Sequence, residues 1–281
     1  MVMLHATKAP PMINPLRIQR IYHRMVDRLF AALPIPLPSL EQVRGCRIVA
    51  HRGEHDNRHV LENTVAAFDA ARAAGVWGIE CDVRWTRDLQ PVVSHDPDCL
   101  RLFGTRVALG DVTRSELRGR FPLIPSLQEV IQRYGKKVHL MVEFKEEHYP
   151  NPRRQNQLLA ELFAGLEPQR DYHLLSLNPS MFRYLDFAPR QAFLPVAEMN
   201  VRHLSRLAID RGYAGIAGHY LLVTRARIRR HQRLRQEVGT GFVASRNCLY
   251  REIQRGVDWI FSDCAARLQK ICDDLIATLD R

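Results

Sequence analysis

The chain of 281 residues is 46% hydrophobic, enough to bury one large core, and its length allows either one barrel-sized domain or two smaller ones. A formal net charge of +11 favours anionic partners such as phosphate groups, lipid headgroups or nucleic acid without choosing among them. No apolar run is long enough to span a bilayer and no secretory signal opens the chain, so we expect a cytoplasmic protein.

The first 45 residues differ from the rest of the chain and are interpreted as an appendage to a larger domain. A basic amphipathic stretch over residues 16–33 is followed by the proline-rich connector 34–38. The stretch fits two structures, a helix packed on the outside of the domain and a membrane-surface anchor. Its apolar stripe consists of Ile18, Ile21, Met25 and Leu29. The arginines that would face anionic lipid are Arg17, Arg20, Arg24 and Arg28.

Residues 46–281 alternate short apolar or β-branched runs with amphipathic helical segments, which predicts repeated βα units around a parallel sheet. Eight such units fit a (β/α)₈ TIM barrel, a fold of about 250 residues. The predicted strands are 47–51, 78–83, 138–144, 172–176, 192–196, 213–217, 241–244 and 259–262.

One further strand-like run, residues 91–95, follows Arg84 too closely to be a barrel strand. Six intervening residues cannot form the crossover that a parallel neighbour needs. The run is therefore predicted to be a hairpin arm that returns over the end of the second strand. The hairpin and a small insertion, about residues 84–122, would precede the helix at 126–134.

Polar side chains gather at the carboxyl ends of the predicted strands, where barrel enzymes place their catalytic groups. Each pair alone is a weak signal, because such residues commonly mark a solvated strand edge. The ordered set carries the prediction. It consists of His51 and Arg52 after the first strand, Glu80 and Asp82 in the second, His95 on the hairpin arm, and Glu143 and Lys145 at the end of the third.

Three of these carboxylates predict a site for a hard divalent cation. Side chains alternate faces along a strand, so Glu80 and Asp82 point to the same side. Glu143 on a neighbouring strand completes an oxygen cluster suited to Ca²⁺ or Mg²⁺. Arg52 and Lys145 supply cationic donors for the oxygens of a phosphate.

Taken in order, the motifs of the chain resemble the glycerophosphodiester phosphodiesterase family. The resemblance covers essentially everything after the appendage, although residues from about 150 to 239 match mainly by pattern. The matching motifs are VAHRG (49–53), LENTVAAFDAARAAG (61–75), IECDVRWTRDLQPVVSHD (79–96), IPSLQEVI (124–131), VEFK (142–145) and GVDWIFSD (256–263).

The resemblance implies metal-dependent hydrolysis of glycerophosphodiesters to glycerol 3-phosphate and an alcohol. It assigns His51 and His95 as the acid/base pair, Glu80, Asp82 and Glu143 as metal ligands, and Arg52 and Lys145 as phosphate contacts. Glu62 and Asn63 match the Glu-Asn-Thr element of the family, and Glu62 is expected to support the metal site directly or through another ligand. Asn63 and Thr64 are also good residues for starting a helix.

Two other functions stay open. A related phosphodiesterase acting on lysophospholipids would use the same residues, and a catalytically silent barrel would bind anionic membranes peripherally. No basic and aromatic motif indicates a nucleic-acid partner. GFVASRN at 241–247 stands where the family usually has a Trp-Thr-Val-Asn-like strand end, so the preferred alcohol is not implied by the resemblance.

Overall fold

The computed structural model describes residues 25–26 and 28–280. Its strands are β1 Ile48–Ala50, β2 Gly78–Trp85, β3 Pro91–Val93, β4 His139–Phe144, β5 Tyr172–Ser176, β6 Phe193–Ala197, β7 Gly215–His219, β8 Glu237–Gly241 and β9 Trp259–Ser262. Its helices are α1 Leu40–Arg44, α2 Val65–Ala73, α3 Leu100–Phe103, α4 Arg114–Arg120, α5 Leu127–Tyr134, α6 Pro152–Phe163, α7 Val201–Arg211, α8 Arg225–Arg233, α9 Arg246–Arg255 and α10 Ala265–Leu279. Among the described helices, none combines the length and the apolar character needed to cross a bilayer.

Eight parallel strands close into a barrel, which confirms the predicted TIM-barrel fold. The strand order is β1-β9-β8-β7-β6-β5-β4-β2, and β1 pairs with β2 to close the ring. The strands are almost wholly buried because the helices cover their outer faces and side chains fill the inside. The interior cluster contains Val49, Met141, Leu175, Leu194, Ala217, Trp259 and Phe261.

The ninth strand, β3, is the predicted hairpin arm and takes no place in the barrel wall. It runs antiparallel to the end of β2, with Val83 opposite Val93. The insertion that follows contains α3 and α4 and has a small apolar core of its own. His95 therefore reaches the carboxyl end of the barrel from outside the ring of parallel strands.

Two strand predictions were displaced along the chain. β8 is Glu237–Gly241 rather than 241–244, and β7 is Gly215–His219 rather than 213–217. The apolar run after Gly241 suggested a strand, but the pairing of Gly239 with Trp259 fixes the actual register. A Cβ on Gly239 would lie 2.8 Å from the side-chain ring of Phe261, so any larger residue here would force that ring to move. The position of β8 therefore depends on packing against neighbouring strands, which a local sequence pattern does not include.

The last part of the predicted appendage packs on the barrel, whereas residues 16–24 and 27 of the predicted helix lie outside the described residues. Residues 28–32 are helical, and Phe30 meets the ring of Tyr220 edge-on at 5.5 Å. Asn247 on α9 donates hydrogen bonds to two carbonyls of this segment. Met25 and Leu29 are 61% and 67% exposed, so the apolar stripe singled out in the sequence is not the packed face here.

Candidate active site

All nine predicted site residues lie at the carboxyl end of the barrel. Each interacts with at least one of the others through a hydrogen bond, an ion pair or a longer-range electrostatic interaction. Three parallel strands and the hairpin arm supply most of them, because parallel strands end on the same side of the sheet. β1 leads into His51 and Arg52, β2 contains Glu80 and Asp82, β4 ends at Glu143 and Lys145, the arm of β3 leads to His95, and Glu62 and Asn63 precede α2.

Three buried carboxylates form the centre of the site. One oxygen from each of Glu80, Asp82 and Glu143 lies within 4.8 Å of the others, and Asp82 pairs in register with Glu143. Burial, together with the charge of Asp82, raises the pKa of Glu80 to about 8. Oε1 of Glu80 is buried without a hydrogen-bond partner among the described residues. This combination of repulsion and an unpartnered oxygen fits a divalent cation.

The two predicted phosphate contacts are paired with these carboxylates in the structure. Nζ of Lys145 lies 2.5 Å from Oδ1 of Asp82 and also contacts Glu143. Nε of Arg52 lies 3.1 Å from Oδ2 of Asp82. Burial alone would raise the pKa of Asp82, but Lys145 and Arg52 outweigh it and lower that pKa well below its usual range. Both cations thus lie within reach of any ligand that binds over the cluster.

The turn after β1 has an unusual backbone that the sequence His-Arg-Gly explains. Arg52 and Gly53 have φ angles of 59° and 79°, in the left-handed region. A Cβ on Gly53 would lie 2.7 Å from the carbonyl carbon of Ala67, so only glycine fits against α2. The turn directs the backbone N–H of Arg52 at Oε2 of Glu80, 3.0 Å away.

His51 is oriented by a carboxylate from the last barrel strand. Its Nδ1 lies 2.6 Å from Oδ1 of Asp263, the residue directly after β9. Because a carboxylate only accepts, Nδ1 is the donor, and Nε2 faces Glu80 at 3.9 Å. Burial and Arg52 oppose protonation of His51, but Asp263 and Glu80 outweigh them, so the pKa of His51 is raised.

His95 has the same kind of partner. Its Nδ1 lies 2.7 Å from Oδ1 of Asp96, which leaves Nε2 as the second ring nitrogen for proton exchange. The other oxygen of Asp96 accepts from Nε of Arg101 at 2.5 Å. Burial would raise the pKa of Asp96, but His95 and Arg101 lower it to about 2. His95 and His51 each contribute to lowering the pKa of Asp82, so both act on the same carboxylate centre.

Glu62 and Asn63 hold other site residues in place. Glu62 accepts from Arg52 at 3.0 Å and from Arg101 at 2.5 Å, and it lies outside the three-carboxylate cluster. Burial would raise the pKa of Glu62, but these two arginines lower it to about 2. Asn63 donates to Oδ2 of Asp82 at 2.8 Å and accepts from its backbone N–H. Thr64 caps α2, so Asn63 is left to orient Asp82.

Sequence reasoning gave no role to three residues of this site. Asp263 and Asp96 both stood inside matched motifs, and their positions after β9 and beside His95 were the available signal. Arg101 lies on the four-residue helix α3 in the insertion, and nothing in its local sequence distinguishes it from other surface arginines. Only the fold of the insertion brings Arg101 to Glu62, 39 residues earlier in the chain.

Comparison with known proteins places this geometry among phosphodiesterases. A family model described as the glycerophosphoryl diester phosphodiesterase family matches residues 51–210, more than half of the chain. A glycerophosphodiester phosphodiesterase of Caldanaerobacter subterraneus is 36% identical over 110 residues, which are 35% of this chain and 44% of that protein. Lysophospholipase D GDPD1 of Homo sapiens is 37% identical over 106 residues, 37% of this chain and 33% of that protein. The chain thus spans less than half the length of these curated relatives.

The fold has solved counterparts over nearly their full length. A phosphodiesterase from Oleispira antarctica, determined in complex with the product sn-glycerol-3-phosphate, superimposes with a TM-score of 0.68 at 20% identity. The match covers 84% of this chain and 97% of that one. At this identity the likeness concerns the architecture of the barrel.

Proposed function

From the premise that the chain belongs to the glycerophosphoryl diester phosphodiesterase family, we propose that it hydrolyses glycerophosphodiesters to glycerol 3-phosphate and an alcohol. The observation that carries the proposal is the pair His51 and His95. Each has Nδ1 on an aspartate and Nε2 left for proton exchange, and both lie beside the carboxylate cluster. Cleavage of a phosphodiester needs one group to take a proton and another to give one, and imidazoles do both near neutral pH.

In the proposed reaction, one histidine takes a proton from the attacking water as the water oxygen bonds to phosphorus, and the other gives a proton to the alcohol oxygen as its bond to phosphorus breaks. Asp263 fixes the tautomer of His51 and stabilises its imidazolium form. Asp96 accepts from Nδ1 of His95 and so fixes the tautomer of that ring. The alcohol therefore leaves as a neutral molecule. The histidine that acts as the base ends protonated, and the histidine that acts as the acid ends neutral.

Glu80, Asp82 and Glu143 would hold the divalent cation, Ca²⁺ or Mg²⁺, whose charge stabilises the negative charge that develops on the phosphate oxygens. Arg52 and Lys145 would contact those oxygens as well, because both cations already lie beside the cluster. Glu62 keeps Arg52 in place, and Asn63 keeps Asp82 in place.

The test is release of glycerol 3-phosphate from glycerophosphocholine by the purified chain, with Ca²⁺, with Mg²⁺ and with a chelator. We expect turnover with at least one cation, loss in chelator and recovery when the cation is returned. Absence of turnover with both cations would overturn the proposed activity, and full turnover in chelator would remove the metal role from the three carboxylates.

A lysophospholipid is the second candidate substrate. One relative is named a lysophospholipase D, and the ring of Phe242, 39% exposed, lies 6.1 Å from that of His51. An apolar side chain beside the proposed acid/base group would suit a substrate with an acyl chain. Parallel assays of lysophosphatidylcholine and glycerophosphocholine, compared by kcat/KM, decide between the two substrates.

A further inference from the structure

A groove on the outer wall of the barrel, lined by none of the candidate site residues, has arginines from two helices. Arg202 and Arg206 lie one turn apart on α7, and Arg227 and Arg230 face them from α8. The groove has a volume of about 280 Å³, enough for a phosphate headgroup. A hydrogen bond of 2.8 Å between Ser205 and His231 joins the two helices beneath it. The arginines therefore line a surface built by packed helices.

The groove lies in the most basic part of the chain. Between Glu198 and Glu237 the sequence contains nine arginines and a single acidic residue, Asp210, a net charge of +8. The whole chain carries +11, so all the remaining residues together contribute +3. Most of the excess positive charge therefore belongs to the segment that contains α7 and α8.

No carboxylate neutralises the groove arginines in the part of the chain that the structure describes, although ion pairs are common elsewhere, as between Arg87 and Glu116 or Arg114 and Glu129. Partial burial, together with the charges of Arg202 and Arg230, lowers the pKa of Arg227. Like charges held this close destabilise the folded chain unless an anion binds between them. The groove therefore suits an anionic partner.

The position of the groove argues for a surface as that partner. α7 and α8 begin directly after the carboxyl ends of β6 and β7, so the first turns of both helices lie at the rim of the catalytic face. Met199, just before α7, is 86% exposed at this rim. Leu29 is also exposed. It lies next to Phe30, which packs against Tyr220 in the loop after β7. Arginines interspersed with exposed apolar side chains match the headgroup region of a bilayer.

We propose that the groove between α7 and α8 binds the headgroups of anionic phospholipids and holds the catalytic face of the barrel against a membrane. The binding needs no catalysis and does not depend on the proposed hydrolysis. Nucleic acid is a different polyanion, and its flat bases would find no aromatic platform among the groove residues.

The experiment is cosedimentation of the full chain with vesicles of phosphatidylcholine alone and of phosphatidylcholine mixed with phosphatidylglycerol in a two-to-one ratio. We expect binding to the mixed vesicles only, weakened by added salt. Arg206→Gln/Arg230→Gln removes two charges from the groove and should lower the partition coefficient about thirtyfold. Arg206→Lys/Arg230→Lys, which keeps the charge, should retain binding.

The matched control is Lys136→Gln/Lys137→Gln, which removes the same charge from exposed positions in the turn before β4, at the opposite end of the barrel. It should bind like the unchanged chain. Equal losses in the groove and control variants would show that net charge alone drives binding and would overturn the proposal. So would equal binding to both vesicle types, or retention by duplex DNA without vesicle binding. Turnover of glycerophosphocholine should be unchanged in the groove variants, and their melting temperature should be equal to or above that of the unchanged chain, which shows that the fold is intact.

Discussion

Two pairs of histidines lie at opposite ends of the barrel, and their partners give them opposite properties. His51 and His95 lie at the carboxyl end, where each places Nδ1 on an aspartate. His139 and His173 lie at the amino ends of β4 and β5, in the floor of the barrel. The same side chain is therefore placed once beside negative charge and once in an apolar layer.

The floor histidines form a neutral chain of hydrogen bonds. Nδ1 of His139 must donate to the carbonyl of Arg170, at 3.0 Å, because a carbonyl only accepts. Nε2 of His139 then accepts from Nδ1 of His173, at 2.8 Å. The ring of His139 stacks on Trp77, with centroids 4.3 Å apart. Burial lowers the pKa of His139 to about 4 and that of His173 to about 3. These rings fill space and stay uncharged.

The hydrogen-bond partner of a buried histidine, more than its burial, decides whether the ring can exchange protons. A carboxylate stabilises the imidazolium form, which proton transfer requires. A carbonyl or a second neutral ring fixes a tautomer without supplying charge. Four sets of substitutions test this difference between the two pairs of histidines.

The largest effect is expected from removing a catalytic histidine. His51→Ala and His95→Ala should each lower kcat for glycerophosphocholine by about a thousandfold, because one of the two proton transfers is lost. His173→Asn, in the floor of the barrel, keeps a hydrogen-bonding group near the position of Nδ1. This variant should have the same kcat as the unchanged chain. An alanine variant with more than about a tenth of the original kcat would contradict the acid/base assignment.

The aspartate partners should have the next largest effect. Asp263→Asn and Asp96→Asn keep the size of the side chain but replace the charged acceptor on Nδ1 of each histidine with a neutral amide, so kcat should fall about a hundredfold. The pH profile of kcat should also shift for Asp263→Asn, toward a lower pKa. Asp273→Asn, on the exposed surface of α10, serves as the control. An unchanged pH profile would reduce Asp263 to a structural role.

The floor pair predicts a loss of stability in acid. Both histidines have a lower pKa in the folded chain than in the unfolded chain, so the unfolded state takes up more protons as the pH falls below about 6.5. The free energy of unfolding should therefore fall between pH 7 and pH 5.5. His173→Asn should reduce that fall by about 1 kcal/mol, measured by urea unfolding at both pH values. An identical fall in both proteins would contradict the neutral floor.

The smallest effect is expected from Arg101, which connects the insertion to the catalytic end. Arg101→Gln removes the charge that faces Glu62 and Asp96, and kcat/KM should fall about fivefold as His95 loses part of its support. Arg106→Gln, an exposed change in the same insertion, should have no effect. Rates measured over a range of glycerophosphocholine concentrations separate kcat from KM, and a change in KM alone would place Arg101 in binding.

Strand-end chemistry was accessible from the sequence because it is local. Glu80 and Asp82 share a face through the two-residue period of a strand, and the short spacing before His95 excluded a parallel neighbour. The eight βα units could be counted for the same reason. The predicted position of β8 was wrong because its register is set by pairing with β9, a strand distant in the sequence that a local pattern does not include.

The sequence by itself determined the fold class, the family resemblance and the set of residue types at the carboxyl end of the barrel, since these follow from periodicity and motif order. Asp96 follows His95 directly in the chain, but the carboxylate that His51 meets depends on the tertiary structure. Asp263 reaches His51 across 212 residues because closure of the ring brings the last strand beside the first. The tertiary structure also makes His139 and His173 neutral. Their burial and their hydrogen-bond partners are properties of the folded chain, whereas residue identity is not.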